Sequence, residues 1–431
     1  MSSNVSRRNF FKQTAFTTAG VWLGTSSLFA RKLSANDKLN IGVIGTMNRA
    51  ASNIAGVKNQ NIVAICDVDE TYLAQTHAKL PSAKTYIDFR RLIDQKDIDA
   101  IVVSTPDHTH AVAALTALKS GRPVYCEKPL AHTVHEVRAL MAQAAKSKLP
   151  TQMGTQIHAT ENYRRAVEIV QSGVLGPVKE VHVWCEKSVV AEAGANATAP
   201  VPKNFHYDEW LGPVPKRDFH ADFAPKTWRH WWDFGGGTLG DMGCHYIDLA
   251  FWALNLRWPI AIETEGPPVH AQNTPAWVIA TWDFAARADL APVRLKWYDG
   301  AHSPKLLRDS LPREQLKQWR NGVLFVGSKG MLLADYNKRL LLPENGNFET
   351  PKPYIAKSLG HHEEWILACK TGSPTTCNFD YSGPLAETVL LGIAAYRSGQ
   401  KLQYDGPTGR ITNTRAADEF LTREYRKGWS V

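Results

Sequence analysis

The sequence predicts an α/β protein: a doubly wound parallel sheet first, then a second region built on half-buried antiparallel strands. Three observations carry this. Short apolar runs alternate with helical periods from Lys38 to Gly154, the pattern of successive βαβ units. The first run ends on Gly45 immediately before a helical segment, where such folds make their first tight turn. From about Ile157 the runs open into apolar/polar alternation and tryptophan accumulates, ten of the 14 falling between Trp184 and Trp297.

The elements follow in order. Lys38–Gly45 reads as a buried strand, followed by a helical segment through Val57 and the strand Asn61–Asp67. Helix Glu70–Leu80, the Tyr86–Asp88 segment, helix Phe89–Asp94 and the apolar strand Ala100–Ser104 come next. After Pro106–His110 the pattern gives helix Ala111–Ser120, strand Pro123–Cys126, helix Val134–Ser147 and strand Gln152–Gly154. Helix Tyr163–Ser172, the more openly alternating strand Val178–Cys185 and an Ala/Pro-rich loop at Ala191–Pro202 open the second region. Val278–Asp283 and Val293–Tyr298 read as half-buried antiparallel strands, and His245–Leu254 as an amphipathic helix.

Length and charge narrow the function. At 431 residues two domains fit, and 44% hydrophobic with 21% charged residues is an ordinary globular composition. The net charge is +9, but five basic residues and no acid lie in the first 35, which leaves +4 on the rest. With no basic run there, nucleic acid is excluded as the expected partner. That first segment, Ser6-Arg-Arg-Asn-Phe-Phe-Lys12 followed by a mildly apolar Thr14–Ala30 stretch, matches a twin-arginine export signal. It is too short and too polar for a membrane span. The expectation is therefore a signal at 1–35, a Rossmann domain at 36–155, a second α/β domain at 156–431, and a periplasmic protein that folds before export. Six scattered cysteines without a CxxC pair predict free, mostly buried thiols and no metal cluster.

Gly45-Thr-Met-Asn-Arg-Ala50 stands where a dinucleotide fingerprint belongs, with Gly45 and Ala50 at its outer positions and Met47 in place of the middle glycine. Asp67 ends the second strand, where an acid binds the ribose hydroxyls and favours NAD over NADP. Ser104-Thr-Pro-Asp-His-Thr-His110 and Cys126-Glu-Lys-Pro-Leu130 follow two later strands at the sheet's ligand-binding edge. Glu127-Lys128 reads either as a solvated turn or as a lysine aimed into the cofactor crevice. Asp241 and His245 are four residues apart in Trp231–Asp248, which places them on one helical face. That spacing suits a general-base pair, and equally a helix cap with a packed ring. A metal at Asp241, His245 and Asp248 lacks a third histidine or cysteine at a telling spacing.

Together, Thr105-Pro-Asp-His108, Glu127-Lys-Pro129, Gln152-Met-Gly-Thr-Gln156, Asp241-Met-Gly-Cys-His245 and Asn378-Phe-Asp-Tyr-Ser-Gly-Pro384 resemble the Gfo/Idh/MocA oxidoreductases, in particular their exported subgroup of bacteroidetes and planctomycetes. The resemblance covers the chain after the signal. It implies an N-terminal Rossmann domain and a C-terminal α/β domain with a large, mostly antiparallel open sheet. It also implies NAD(P) chemistry on a sugar, glycoside or cyclitol, with Lys128, Asp241 and His245 as the catalytic set. Met47 departs from the pattern. On this reading His245 is the base, Lys128 holds the reacting oxygen and Asp241 orients His245.

The expected cofactor contacts are Gly45, Thr46, Met47, Asn48, Arg49, Asp67, Ser104, Thr105, Pro106, His108, His110, Glu127, Lys128 and Gln156. Expected sugar contacts are Tyr163, Arg165, His206, Trp228, Arg229, Trp231 and Trp232, with Trp210 a further stacking candidate. Free NAD(H) is scarce outside the cytoplasm, so export predicts a tightly held cofactor and a redox-neutral cycle. One form couples two sugars; the other is a glycosidase or lyase cycle that oxidises transiently and eliminates. A non-catalytic sugar-binding or sensor protein on the same scaffold is the alternative from another class. An open sheet face predicts a homodimer or homotetramer.

Overall fold

The computed structural model describes residues 37–189, 198–224 and 227–431. The twin-arginine segment and most of the Ala/Pro-rich loop lie outside the described residues. Strands β1 (Asn40–Ile44), β2 (Asn61–Cys66), β3 (Lys84–Tyr86), β4 (Ala100–Val103), β5 (Val124–Cys126) and β6 (Thr151–Met153) form a parallel sheet in the order β3-β2-β1-β4-β5-β6. Between them run α1 (Arg49–Gly56), α2 (Glu70–His77), α3 (Phe89–Ile93), α4 (Asp107–Lys119) and α5 (Val134–Ser147). Strand order reverses between β1 and β4, so their carboxyl ends frame the crevice such sheets use for ligands.

Local chemistry explains the ends of these elements. Asp69 and Asp88 accept backbone N–H groups at the starts of α2 and α3, and Thr133 with Glu136 closes a capping box on α5. Helix α4 begins at Asp107, not Ala111. Asp107–His110, expected as a loop, is thus its first turn, started after Pro106 in extended backbone.

The second region opens with α6 (Glu161–Gln171), β7 (Val178–Cys185), α7 (Tyr207–Leu211) and α8 (Gly237–Leu254). There follow β8 (Ala261–Glu265), β9 (Ile279–Phe284), β10 (Val293–Tyr298), α9 (Lys305–Ser310), α10 (Arg313–Leu316), β11 (Asn321–Gly327), β12 (Met331–Ala334) and β13 (Arg339–Leu342). Helices α11 (His361–Thr371) and α12 (Phe379–Ser398) precede the short strands β14 (Leu402–Asp405) and β15 (Arg410–Ile411). The nine strands run in the order β13-β12-β11-β7-β10-β9-β8-β14-β15 and pair antiparallel, apart from the parallel β7–β10 pair. Helix α8 is buried on nearly every side, as its apolar composition demands. It begins two turns earlier than the His245–Leu254 periodicity indicates.

One element crosses the expected division at residue 155. Trp365 and Ile366 of α11 pack with Ile41, Val43, Val102 and Tyr125 on one face of the parallel sheet. His362 stacks on Tyr125 at 5.0 Å and reaches Asn53 at 3.0 Å. A parallel sheet needs cover on both faces, and α11 supplies part of it from late in the sequence.

Candidate active site

The site is assembled on α8. Gly235 comes so close to Arg229 that a Cβ there would lie 2.8 Å from its Cα, so the glycine run lets the Trp228–Arg229 turn close over the start of the helix. Asp241, His245 and Asp248 then fall along one side of α8 at turn spacing. From the Rossmann domain, Lys128 arrives directly after β5. Its Nζ donates to the Asp241 backbone carbonyl at 2.6 Å and to Oδ1 at 2.7 Å. Lys187, just past β7, donates to Oδ2 at 2.5 Å, and Arg229 Nε lies 3.0 Å from Oδ1. Burial alone would push this carboxyl up, but Lys128, Arg229 and Lys187 hold it well below the usual carboxylate range.

This corrects one expected role. Both Asp241 oxygens are engaged by cations, and among the described residues the buried Nδ1 of His245 has no hydrogen-bond partner. Asp241 therefore gathers lysines instead of fixing the imidazole. Burial, and next the charge of Lys128, keep His245 well below its ordinary pKa, so the ring is neutral at pH 7 and has a lone pair to offer. Burial holds Asp107 up at about 7 although Arg229 and Lys128 act to lower it. Lys187 carried no signal in the sequence: a lysine two residues past a strand looks like surface, and its side chain is 47% exposed.

A cleft of about 460 Å³ runs along the carboxyl ends of β1, β2 and β4. Gly45–Arg49, Asp67 and Ser104–Pro106 line it, together with Trp228, Arg229 and Trp210. Gly45 has φ +86°, and a Cβ there would meet the Ser104 carbonyl at 2.6 Å. Two features accompany Met47 in the turn. Its sulfur faces α2, 3.9 Å from the Thr76 hydroxyl, and the next residue, Asn48, has φ 58° and ψ −116°. That is backbone a glycine adopts far more easily. Asp67 Oδ2 accepts from the Thr46 N–H and hydroxyl at 2.9 and 2.8 Å, and Oδ1 from the Asp69 N–H at 3.0 Å. Burial raises this carboxyl in spite of those bonds.

These features fit an extended dinucleotide. The N terminus of α1 has no side-chain cap, which suits a pyrophosphate. Asp67 suits ribose hydroxyls, and Tyr72, Phe89, Phe205, Trp210, Phe219, Trp228 and Trp429 put aromatic rings on the rest of the wall.

Other expected contacts sit elsewhere, each for a visible reason. His108 Nε2 bonds the Trp210 carbonyl at 2.7 Å, and His110 bridges the Pro129 and Thr105 carbonyls; both are buried in α4 and position the loops. Glu127 is buried behind the cleft, accepting from Arg49 at 2.8 Å and Asn53 at 2.9 Å. Gln156 is half-buried in a 3₁₀ turn outside the cleft lining.

Among the expected sugar contacts, Tyr163 is a core residue whose hydroxyl donates to the His245 carbonyl at 3.0 Å. Arg165 pairs with Glu168 and the Pro351 carbonyl, and His206 with Glu70 at 2.7 Å. Trp231 is packed against Phe223 at 4.9 Å, and Trp232 donates to the His270 carbonyl at 3.0 Å. Trp228 and Arg229 alone of that set line the cleft. The wall also includes Phe89, Phe205, Phe219 and Trp429, none of which sequence patterning marked.

One turn beyond His245, Asp248 forms a second buried pair. His158 Nδ1 lies 3.0 Å from Asp248 Oδ2, and the Tyr381 hydroxyl donates to Oδ1 at 2.7 Å. Burial opposes the charge on His158, but Asp248 raises it to about 10. A histidine raised on folding stabilises fully below its unfolded value of about 6.5 and loses that contribution as pH rises through the folded value. Melting temperature is therefore expected to fall between about pH 6.5 and about pH 10, and Asp248→Asn is expected to flatten that slope. Parallel slopes for the two proteins would refute the pairing.

Among the described residues, no helix is long and apolar enough to cross a membrane and no group of three or more His, Cys, Asp or Glu is placed to hold a metal ion. All six cysteines are free, and five are buried. Residues 39–155 match the profile of an oxidoreductase family with an NAD-binding Rossmann fold, and residues 161–291 that of the same family's C-terminal alpha/beta domain. Myo-inositol 2-dehydrogenase of Thermotoga maritima is 28% identical over 369 residues, covering 84% of this chain and 94% of that one. Inositol 2-dehydrogenase 2 of Saccharopolyspora erythraea is 32% identical over 149 residues, and there the chain spans only 44% of the relative's length and 33% of its own. The solved structure of levoglucosan dehydrogenase in complex with NADH and levoglucosan superposes with a TM-score of 0.59 at 15% identity, over 85% of this chain and 99% of that one. At that identity the likeness is one of fold.

Proposed function

The chain belongs to the Gfo/Idh/MocA family of oxidoreductases, with an NAD-binding Rossmann domain at its amino-terminal side, and from that premise we propose that it oxidises a ring hydroxyl of a sugar, glycoside or cyclitol. The observation that carries the reading is the junction of Lys128 with Asp241, which brings the two domains together one helical turn from His245 and beside the crevice. NAD held along Gly45–Arg49, Asp67 and Ser104–Pro106 supplies the hydride acceptor.

The chain's own residues do the rest. Neutral His245 accepts the hydroxyl proton, and Lys128 stabilises negative charge growing on the same oxygen. Asp241 keeps the Lys128 ammonium in place, while Lys187 and Arg229 leave the local charge positive, which favours an alkoxide. Trp228, under the Arg229 guanidinium at 4.1 Å, offers a flat apolar face to the C–H side of a sugar ring.

The twin-arginine motif supports export to the periplasm, and export supports a retained cofactor used in a redox-neutral cycle, where hydride taken from one carbon returns to another. The same reading covers transient oxidation that eliminates an aglycone. The half-exposed face of β9 and β10, where every second residue is only partly covered, supports a homo-oligomer. Denaturing the purified protein and analysing the supernatant by absorbance and mass spectrometry tests the proposal: stoichiometric NAD(H) is the expected result. Its complete absence, with no binding of added NAD, would favour a non-catalytic carbohydrate-binding protein.

A further inference from the structure

We propose that the segment Leu421–Trp429 completes the dinucleotide site from outside the Rossmann domain, with Trp429 stacking on the adenine ring, and that it must lift before the cofactor can exchange. This rests on the reading of the cleft as the NAD site. Asp67, the ribose-binding acid, donates its backbone N–H to the Tyr86 carbonyl, so the cleft beyond it is walled by the residues that follow β3. There Phe89 faces Trp429, with ring centroids 5.9 Å apart and planes tilted by 47°. Both rings line the cleft. Trp429 is half-buried, so it has surface left to give to a planar ligand. The Arg90 guanidinium lies 4.7 Å from its centroid, itself held by Asp88 at 2.9 Å. The two rings touch, and Arg90 and, at 5.9 Å, Arg426 lie over the indole, so a flat, electron-rich heterocycle would lie against the cleft-facing surface the rings share and not between them.

The segment is fastened at three places. At α5, the His135 N–H donates to the Leu421 carbonyl at 2.9 Å, and the Tyr425 hydroxyl donates to Glu136 at 2.9 Å. At α4, Arg423 donates to the His108 carbonyl at 2.6 Å. At α7, Arg426 donates from its backbone N–H to the Pro213 carbonyl at 3.0 Å. Its side chain bonds the Gly212 and Asp208 carbonyls at 3.1 and 2.7 Å and pairs with the Asp208 carboxylate. The Asp208–Pro213 turn belongs to the stretch that roofs the cleft from the other side. There Phe205 bridges to Asp69, and Trp210 and Phe219 face inward. The segment thus ties the roof to the Rossmann helices α4 and α5, and Trp429 is the part of it that lines the cleft. A cofactor behind such a strap leaves slowly, which is what a redox-neutral cycle requires.

The test uses binding, not turnover. Equilibrium affinity for NAD, ADP-ribose and nicotinamide mononucleotide is measured by calorimetry for the wild type, Trp429→Ala, Trp429→Phe and Arg426→Gln, with release of bound NAD followed by rapid filtration. Base–aromatic stacking contributes about 1–3 kcal/mol, so Trp429→Ala is expected to weaken NAD and ADP-ribose by roughly tenfold or more. The mononucleotide, which lacks adenine, is expected to bind unchanged, and Trp429→Phe to retain most of the affinity. Arg426→Gln is expected to speed NAD release without altering the preference between dinucleotide and mononucleotide. If the wild type binds NAD and the variants bind and release it identically, the strap is refuted while the cofactor reading stands. If the wild type binds no dinucleotide at all, both fall together.

Discussion

Replacing His245 with alanine is expected to lower turnover by a factor of roughly 10²–10⁴, the usual contribution of general-base catalysis, while bound NAD(H) is retained. The separation of the two effects follows from placement. His245 sits on α8 beside Lys128 and outside the lining of the NAD cleft, so its removal deletes the proton acceptor and leaves the cofactor contacts intact. The measurement is single-turnover reduction of the bound cofactor, read from nicotinamide absorbance after adding a panel of sugars and cyclitols. An unchanged rate in His245→Ala would falsify its role as base. Loss of bound NAD would show instead that the ring supports the fold around the crevice.

Asp241→Asn is expected to produce the largest loss of stability of any single substitution in the site. One carboxylate there compensates Lys128, Lys187 and Arg229. Of these, Lys128 has only 8% of its side chain exposed, so it cannot turn to water for compensation. Removing one partner of a buried pair costs roughly 3–5 kcal/mol, which corresponds to a fall in melting temperature of about 5–10 °C. Lys128→Met is expected to cost less, because Asp241 then keeps Lys187 and Arg229. In the double variant the two losses are expected not to add. Additive effects, or a milder effect for Asp241→Asn than for Lys128→Met, would show that the ion pair does not organise the site.

What is legible in the sequence follows from what is local. The ends of parallel strands and the four-residue spacing on a helix are set by near neighbours, so the amino-acid order marks Lys128, Asp241 and His245 as candidates; it leaves a solvated turn and a helix cap equally open, and their catalytic roles are what the family resemblance implies. The crevice residues Gly45–Arg49 and Ser104–Pro106 are legible for the same reason. Lys187 is not, because its partner lies 54 residues away and nothing near it marks a site. Tyr163 and Arg165 stand on a helix with polar residues in an aromatic neighbourhood, which looks like a sugar site. The face that α6 presents to α8 is instead core, and Arg165 turns toward Glu168. The tryptophan pair misleads in a similar way. The glycines after it bring the backbone toward Trp228 and Arg229, while Trp231 is swallowed by the cluster around Phe223 and Phe234.

The position of α11 bears on how the chain is made. The face of the parallel sheet carrying Ile41, Val43 and Val102 is closed in part by Trp365 and Ile366, which are synthesised long after residue 155. At about 5–20 residues per second, a ribosome needs on the order of 10–40 s to travel from the end of β6 to the end of α11. Through that interval the nascent nucleotide-binding sheet carries an apolar face without its final cover. The amino-terminal third therefore reaches its final packing only on the arrival of a helix encoded near the other end of the message. A nascent chain in that condition is a natural client for a holding chaperone until α11 emerges and closes the face.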